Sequence, residues 1–217
     1  MSVDLSELWT FAIFAFVSMF TMVNPLGVVP PYLGMTTGMT TEQSRRVARR
    51  AVLTGTGILL LFAITGQWVF SFFGISVDSL RVVGGIIFLL LGHRMLSGRV
   101  PREREGYESH EDYATDISIT PLGIPIVCGP GAIATAILLT TDDPSASHYA
   151  ITLVVILAIM AITYAVMVSG RRVMAFFGDS GTVVLMRLMG LIIMAIAVEF
   201  LFAGLTPIVR EMLAIQP

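Results

Sequence analysis

Asn24-Pro25-Leu26-Gly27-Val28-Val29-Pro30 and Thr120-Pro121-Leu122-Gly123-Ile124-Pro125 are two versions of one phrase, 96 residues apart. Each lies inside a long apolar run, and each places proline and glycine where a continuous helix wants neither. Further matches follow in the same order. Phe72-Phe73-Gly74 reads against Phe176-Phe177-Gly178 at an offset of 104, and Arg81 with Gly84 reads against Arg187 with Gly190 at an offset of 106. Two halves that keep this order are read as an internal repeat.

The runs around these phrases set the solvent. The chain has 217 residues, 55% hydrophobic and only 13% charged, with a mean hydropathy of +0.85. A soluble domain carries about a quarter charged residues. Leu8 to Thr41 and Ala51 to Val77 contain no charge, and a helix crossing a bilayer needs about 20 apolar residues. A water-soluble enzyme is excluded. So is a nucleic-acid binder, since a formal net charge of −2 gives no basic footprint. The single cysteine, Cys128, rules out an intrachain disulfide and a CxxC pair, and His93, His110 and His148 lack HExxH spacing, so no metal site and no cofactor are expected.

Six apolar segments are read: Leu5 to Gly34, Val47 to Phe73, Ser79 to Leu96, Ile117 to Thr140, Tyr149 to Ser169 and Thr182 to Leu205. The first is too long for one straight crossing. Met1 to Trp9 carries Asp4 and Glu7 but no basic residue, so the start reads as a retained first span and not as a signal peptide. All 13 basic residues are arginine. Arg45, Arg46, Arg49 and Arg50, then Arg94, Arg99, Arg102 and Arg104, then Arg171, Arg172 and Arg187 fall on one side, leaving Arg81 and Arg210 for the other. The arginine-rich side is expected to be cytoplasmic, with both termini outside.

Each half holds three spans, an odd number, so the second copy enters from the opposite face. The expected fold is therefore an all-α polytopic membrane protein: six transmembrane helices as two inverted three-helix repeats, with broken helices in spans one and four. The repeats take residues 1–98 and 117–217. Residues 99–116, which mix both signs of charge, read as a solvated linker. In such folds the substrate binds near the midplane where interrupted helices meet.

The breaks suggest how. Backbone freed from a helix survives in a membrane only against protein or a wet cavity. Asn24-Pro25 and Thr120-Pro121 each put a good cap before a proline suited to a first helical turn, and Gly129-Pro130-Gly131 reads as another helix restart. A helix N-terminus attracts anions, and carbonyls freed on the other side of each break accept an ammonium. A small zwitterion satisfies both. Candidate substrate-binding residues are Asn24, Pro25, Leu26, Gly27, Thr120, Pro121, Gly123, Gly129, Pro130 and Gly131. The competing reading is of proline-kinked helices packed closely through glycine.

NPLGVVPPYLGMT at Asn24 to Thr36 and TPLGIPIVCGPGAI at Thr120 to Ile133 resemble the two signature segments of the MarC family, which includes the SnatA-type transporters of small neutral amino acids. The resemblance extends over essentially the whole chain. It implies a multi-pass protein of the bacterial inner membrane that moves glycine, alanine or similar solutes, coupled to a proton or sodium gradient.

Glu199 stands in MAIAVEFLFAG of span six, and an intramembrane carboxylate reads either as an ion-coupling group or as one close enough to the interface to reach water. Arg81 and Arg187, in the first turns of spans three and six, are expected to snorkel. Cys128 reads as a small hydrophobe, the methionines as packing, and Thr54, Thr56 and Thr65 as bonding back to their own helix. The function expected is a secondary transporter and not an enzyme, its partners the lipid bilayer, a zwitterionic substrate and a coupling ion. An exporter of broader amphipathic compounds and a membrane-embedded structural or assembly protein are the alternatives.

Overall fold

The computed structural model describes residues 5–97, 110–141 and 145–213, and these are helical throughout apart from short breaks. Helix α1 is Leu5–Val23, α2 Val29–Met35, α3 Thr41–Phe73 and α4 Val77–Leu96. Helix α5 is His110–Ile119, α6 Pro130–Thr141 and α7 Ala146–Met212, with a wide π turn at Leu122–Val127 between α5 and α6. The linker expected at 99–116 lies outside the described residues as far as 109. From His110 the chain is already helical.

Among the described residues five helical stretches are long and apolar enough to cross a bilayer: Leu5–Val23, Thr41–Gly66, Val77–Leu96, Ala146–Gly170 and Arg187–Met212. A sixth forms only if the bent pair Asp112–Val127 and Pro130–Thr141 is counted as one. The first and fourth expected spans are the interrupted ones. Helix α7 holds two crossings. Gly170 packs on Val29, while the neighbouring Val28 lines a cavity with Ile193. A straight helix would separate positions 170 and 193 by about 35 Å at 1.5 Å per residue, so α7 is no single rod.

Local chemistry fixes the helix starts. Thr40 caps α3 in a reciprocal box with Gln43, Thr40 Oγ1 accepting the Gln43 N–H at 3.2 Å and Gln43 Oε1 the Thr40 N–H at 2.9 Å. This box starts α3 at Thr41, ahead of the apolar onset at Val47, so its first turns are polar. Gly74, at φ 63°, closes α3 in the left-handed conformation that glycine adopts without cost. Ser76 then caps α4 by accepting the Ser79 N–H.

The main core is apolar and rich in sulfur, with Met19, Tyr32, Met35, Leu59, Leu122, Ile156 and Met160 all buried. Buried polar groups are satisfied locally. Tyr32 donates its hydroxyl to the Ser44 carbonyl at 3.0 Å, and Thr163 bonds back to Ile159. Outside, Trp68 is 80% and Phe72 85% exposed, a surface tolerable only against lipid. Helix α4 runs antiparallel to Arg187–Met212 with glycines at the contact: Gly85 meets Ala197, Gly92 meets Gly190 and Gly204 meets Asp78.

Candidate functional site

The first break begins where α1 runs into Pro25. Proline has no N–H for the Thr21 carbonyl one turn back. Asn24 takes φ 48°, a left-handed backbone that asparagine tolerates better than most residues. Its Oδ1 accepts the Gly27 N–H at 3.2 Å, and its own carbonyl accepts the same N–H at 2.9 Å. Gly27 therefore does not serve the Val23 carbonyl. The last turn of α1 thus ends with the Thr21 and Val23 carbonyls deprived of their helical donors, at the negative end of a 19-residue helix.

The restart differs from the expected capped one. Helix α2 begins at Val29 behind Val28, with no side-chain cap, and its next two residues, Pro30 and Pro31, carry no N–H. The Val29 N–H is already given to the Leu26 carbonyl at 3.3 Å. The first turn of α2 therefore offers no bare amide hydrogen of the kind expected, because proline fills two of its positions. What the first break turns inward is the carbonyl end of α1.

The second break departs in another way. The Thr120 N–H donates to the Asp116 carbonyl at 2.9 Å, so Thr120 continues α5 and does not cap a new helix. Its side chain is exposed. The following wide turn is preceded by Pro121 without a side-chain cap, and Ile124 within it is extended. Bonds spanning five residues hold it, from the Ile126 N–H to the Pro121 carbonyl at 3.1 Å and from the Cys128 N–H to the Gly123 carbonyl at 2.9 Å. The restart falls at Gly129-Pro130-Gly131, where α6 begins at a bend of 57°. There the Ile133 N–H reaches the Gly129 carbonyl at 3.1 Å, leaving Gly131 and Ala132 in the first turn.

A small cavity of about 30 Å3 lies beside both breaks. Thr21, Val23, Asn24 and Gly27 wall it from the first break, Ile126 from the second, Phe88 from α4 and Ile193 from α7. Such a volume takes a few water-sized groups and lies far below the roughly 300–1,000 Å3 of a drug-sized pocket. Among the described residues no ionisable side chain lines it. Its polarity comes from Asn24, Thr21 and the end of α1.

Of the residues singled out in sequence, Asn24 and Gly27 line this cavity. Pro25 is buried beside them, whereas Leu26 is 60% exposed. Pro121 is half-buried, and Gly123 lies against the Ser118 carbonyl, 2.9 Å from where its Cβ would be. Gly129 and Gly131 sit behind an aromatic pair. Phe88 covers Gly129 and Phe200 covers Gly131, with their ring centroids 5.9 Å apart. Glu199 is exposed on α7 and is not among the cavity walls. Phe88, Ile126 and Ile193 were not legible as lining residues, being apolar among apolar neighbours. Among the described residues no group of three or more His, Cys, Asp or Glu side chains is placed to hold a metal ion.

The model of the MarC family of integral membrane proteins matches residues 9–209, nearly the whole chain. The chain belongs to the MarC family. Its relatives match along most of their length. The UPF0056 membrane protein PYRAB13050 of Pyrococcus abyssi is 33% identical, over 93% of this chain and 96% of its own. UPF0056 membrane protein YvbG of Bacillus subtilis is also 33% identical, over 91% and 95%. UPF0056 membrane protein YhcE of Escherichia coli is 29% identical, over 88% and 89%. No solved structure matches the chain significantly. Membership in this family and the apolar helices together make it a multi-pass integral membrane protein.

Proposed function

We propose that the chain is a secondary transporter of small neutral amino acids such as glycine and alanine, bound between the interrupted helices. The observation that carries this reading is the cavity walled by both breaks, with α1 ending on it. Carbonyls without helical donors there would accept the three hydrogens of an ammonium group. The first turn of α6, at Gly131 and Ala132, would receive the carboxylate once the Phe88 ring withdraws from Gly129. A volume near 30 Å3 favours a solute with almost no side chain and counts against an exporter of bulky amphipathic compounds.

The inverted arrangement of the two halves belongs to the same proposal. Helix α4 and its sequence counterpart in α7 meet antiparallel, as partners across an in-plane two-fold would. Their contact sets position 88 opposite position 194, and the offset of 106 residues that aligns Arg81 with Arg187 matches the same two positions. The resemblance to the family supports a bacterial inner membrane, and the arginine distribution supports both termini lying outside the cytoplasm.

Uptake of labelled glycine and alanine into proteoliposomes, under imposed proton and sodium gradients, tests the transport reading. Accumulation above protein-free vesicles, competed by unlabelled alanine, is expected. No uptake by protein that elutes as a folded species would remove the amino-acid assignment.

A further inference from the structure

We propose that the first turns of α3 hold the phosphate of an anionic phospholipid, with an acyl chain running along the lipid-facing side of the same helix. Arg45, Arg46, Arg49 and Arg50 surround an open cavity of about 410 Å3, completed by Glu42 and by Tyr164 of α7. Their spacing puts all four on one side of α3 over two turns. Two are engaged. Arg46 pairs with Glu42 at 2.6 Å, and Arg50 donates to Thr115 Oγ1 at 2.6 Å. Arg45 and Arg49 pair with no carboxylate among the described residues. Four guanidinium groups and one carboxylate leave the cavity strongly positive. Forked N–H donors beside a phenolic hydroxyl are the chemistry that recognises phosphate.

A free phosphate would need nothing more, but the helix continues in a way that only a lipid uses. At 100° per residue, Leu53, Gly57 and Leu61 follow on the side of Arg46 and Arg50. Leu53 is 62% and Leu61 56% exposed. Between them Gly57 leaves open space, with nothing near its missing side chain. A charged cavity thus runs directly into an apolar notch on the bilayer side, which matches a headgroup joined to a hydrocarbon chain.

Native mass spectrometry of the full chain in detergent, titrated with phosphatidylglycerol, phosphatidylcholine and glycerol 3-phosphate, tests this. Phosphatidylglycerol is expected to bind well above phosphatidylcholine. Arg45→Gln and Arg49→Gln, which break no ion pair among the described residues, should each weaken it about fivefold, while Arg210→Gln leaves it unchanged. Gly57→Leu fills the notch and should weaken phosphatidylglycerol but not glycerol 3-phosphate. Equal binding of the two lipids, or an unaltered Arg45→Gln/Arg49→Gln double variant, would overturn the site. Glycerol 3-phosphate binding as tightly as phosphatidylglycerol would overturn the lipid as its occupant.

Discussion

Gly92 of α4 and Gly190 of α7 lie back to back: a Cβ on Gly92 would stand 2.7 Å from the Gly190 carbonyl oxygen, and one on Gly190 would stand 2.8 Å from the Gly92 carbonyl oxygen. The contact recurs every seven residues, at Gly85 with the Ala197 carbonyl, 2.8 Å away, and at Gly204 with the Asp78 carbonyl, 2.6 Å away. Seven residues are close to two turns, so the same face returns each time. Backbones in such contact are held by dispersion, the main attraction left between helices in lipid.

Gly92→Ala and Gly190→Ala should therefore each destabilise the fold by about 1–3 kcal/mol, since a carbonyl oxygen cannot move aside as a side chain does. Gly57→Ala is the contrast. With open space around it, the change should be neutral or gain up to about 1 kcal/mol of helix propensity. Thermal unfolding of the three variants in one detergent reads the difference.

Asn24 supplies both a left-handed backbone and a hydrogen-bond acceptor, and two substitutions separate them. Asn24→Ala loses both and should cost about 1–2 kcal/mol from the backbone alone. Asn24→Gly keeps the conformation and should unfold close to the wild type, yet still lose solute binding. Thr120→Ala, at an exposed position that caps nothing, should leave uptake and stability unchanged. Paired melting and uptake assays distinguish the three.

Phe88 stands between the cavity and Gly129, so its size should set the largest solute accepted. Phe88→Leu is expected to raise uptake of valine relative to glycine by about tenfold, the usual worth of a methylene or two in an apolar pocket. Competition of labelled glycine uptake by unlabelled valine measures it.

Glu199 faces outward on α7. A proton bound there does not meet the solute in the cavity, so Glu199→Gln should keep both uptake and its pH profile. A flattened profile in proteoliposomes would return this carboxylate to the pathway.

Much of the architecture was legible because hydrocarbon leaves the backbone few options. Charge-free runs gave the crossings, and proline with glycine gave the two interruptions. Polarity at the breaks was harder to read. Asn24-Pro25 looks like the start of a helix, but the two prolines at 30 and 31 displace the start to Val29 and strip it of donors. Thr120-Pro121 fails as a cap because α5 arrives there already helical, and its final N–H is taken by Asp116. Side chains that wall the cavity, such as Phe88 and Ile193, carry no local signal. Their role comes from which helices meet, a fact written across a hundred residues and not at any one of them.

Two helices whose main chains touch at three points across two heptads cannot part or roll without losing backbone contacts that neither lipid nor side chains replace. The pair made by α4 and the end of α7 is thus a fixed mast, and any rearrangement that exposes the cavity first to one side and then to the other has to be made by the short segments hinged around it.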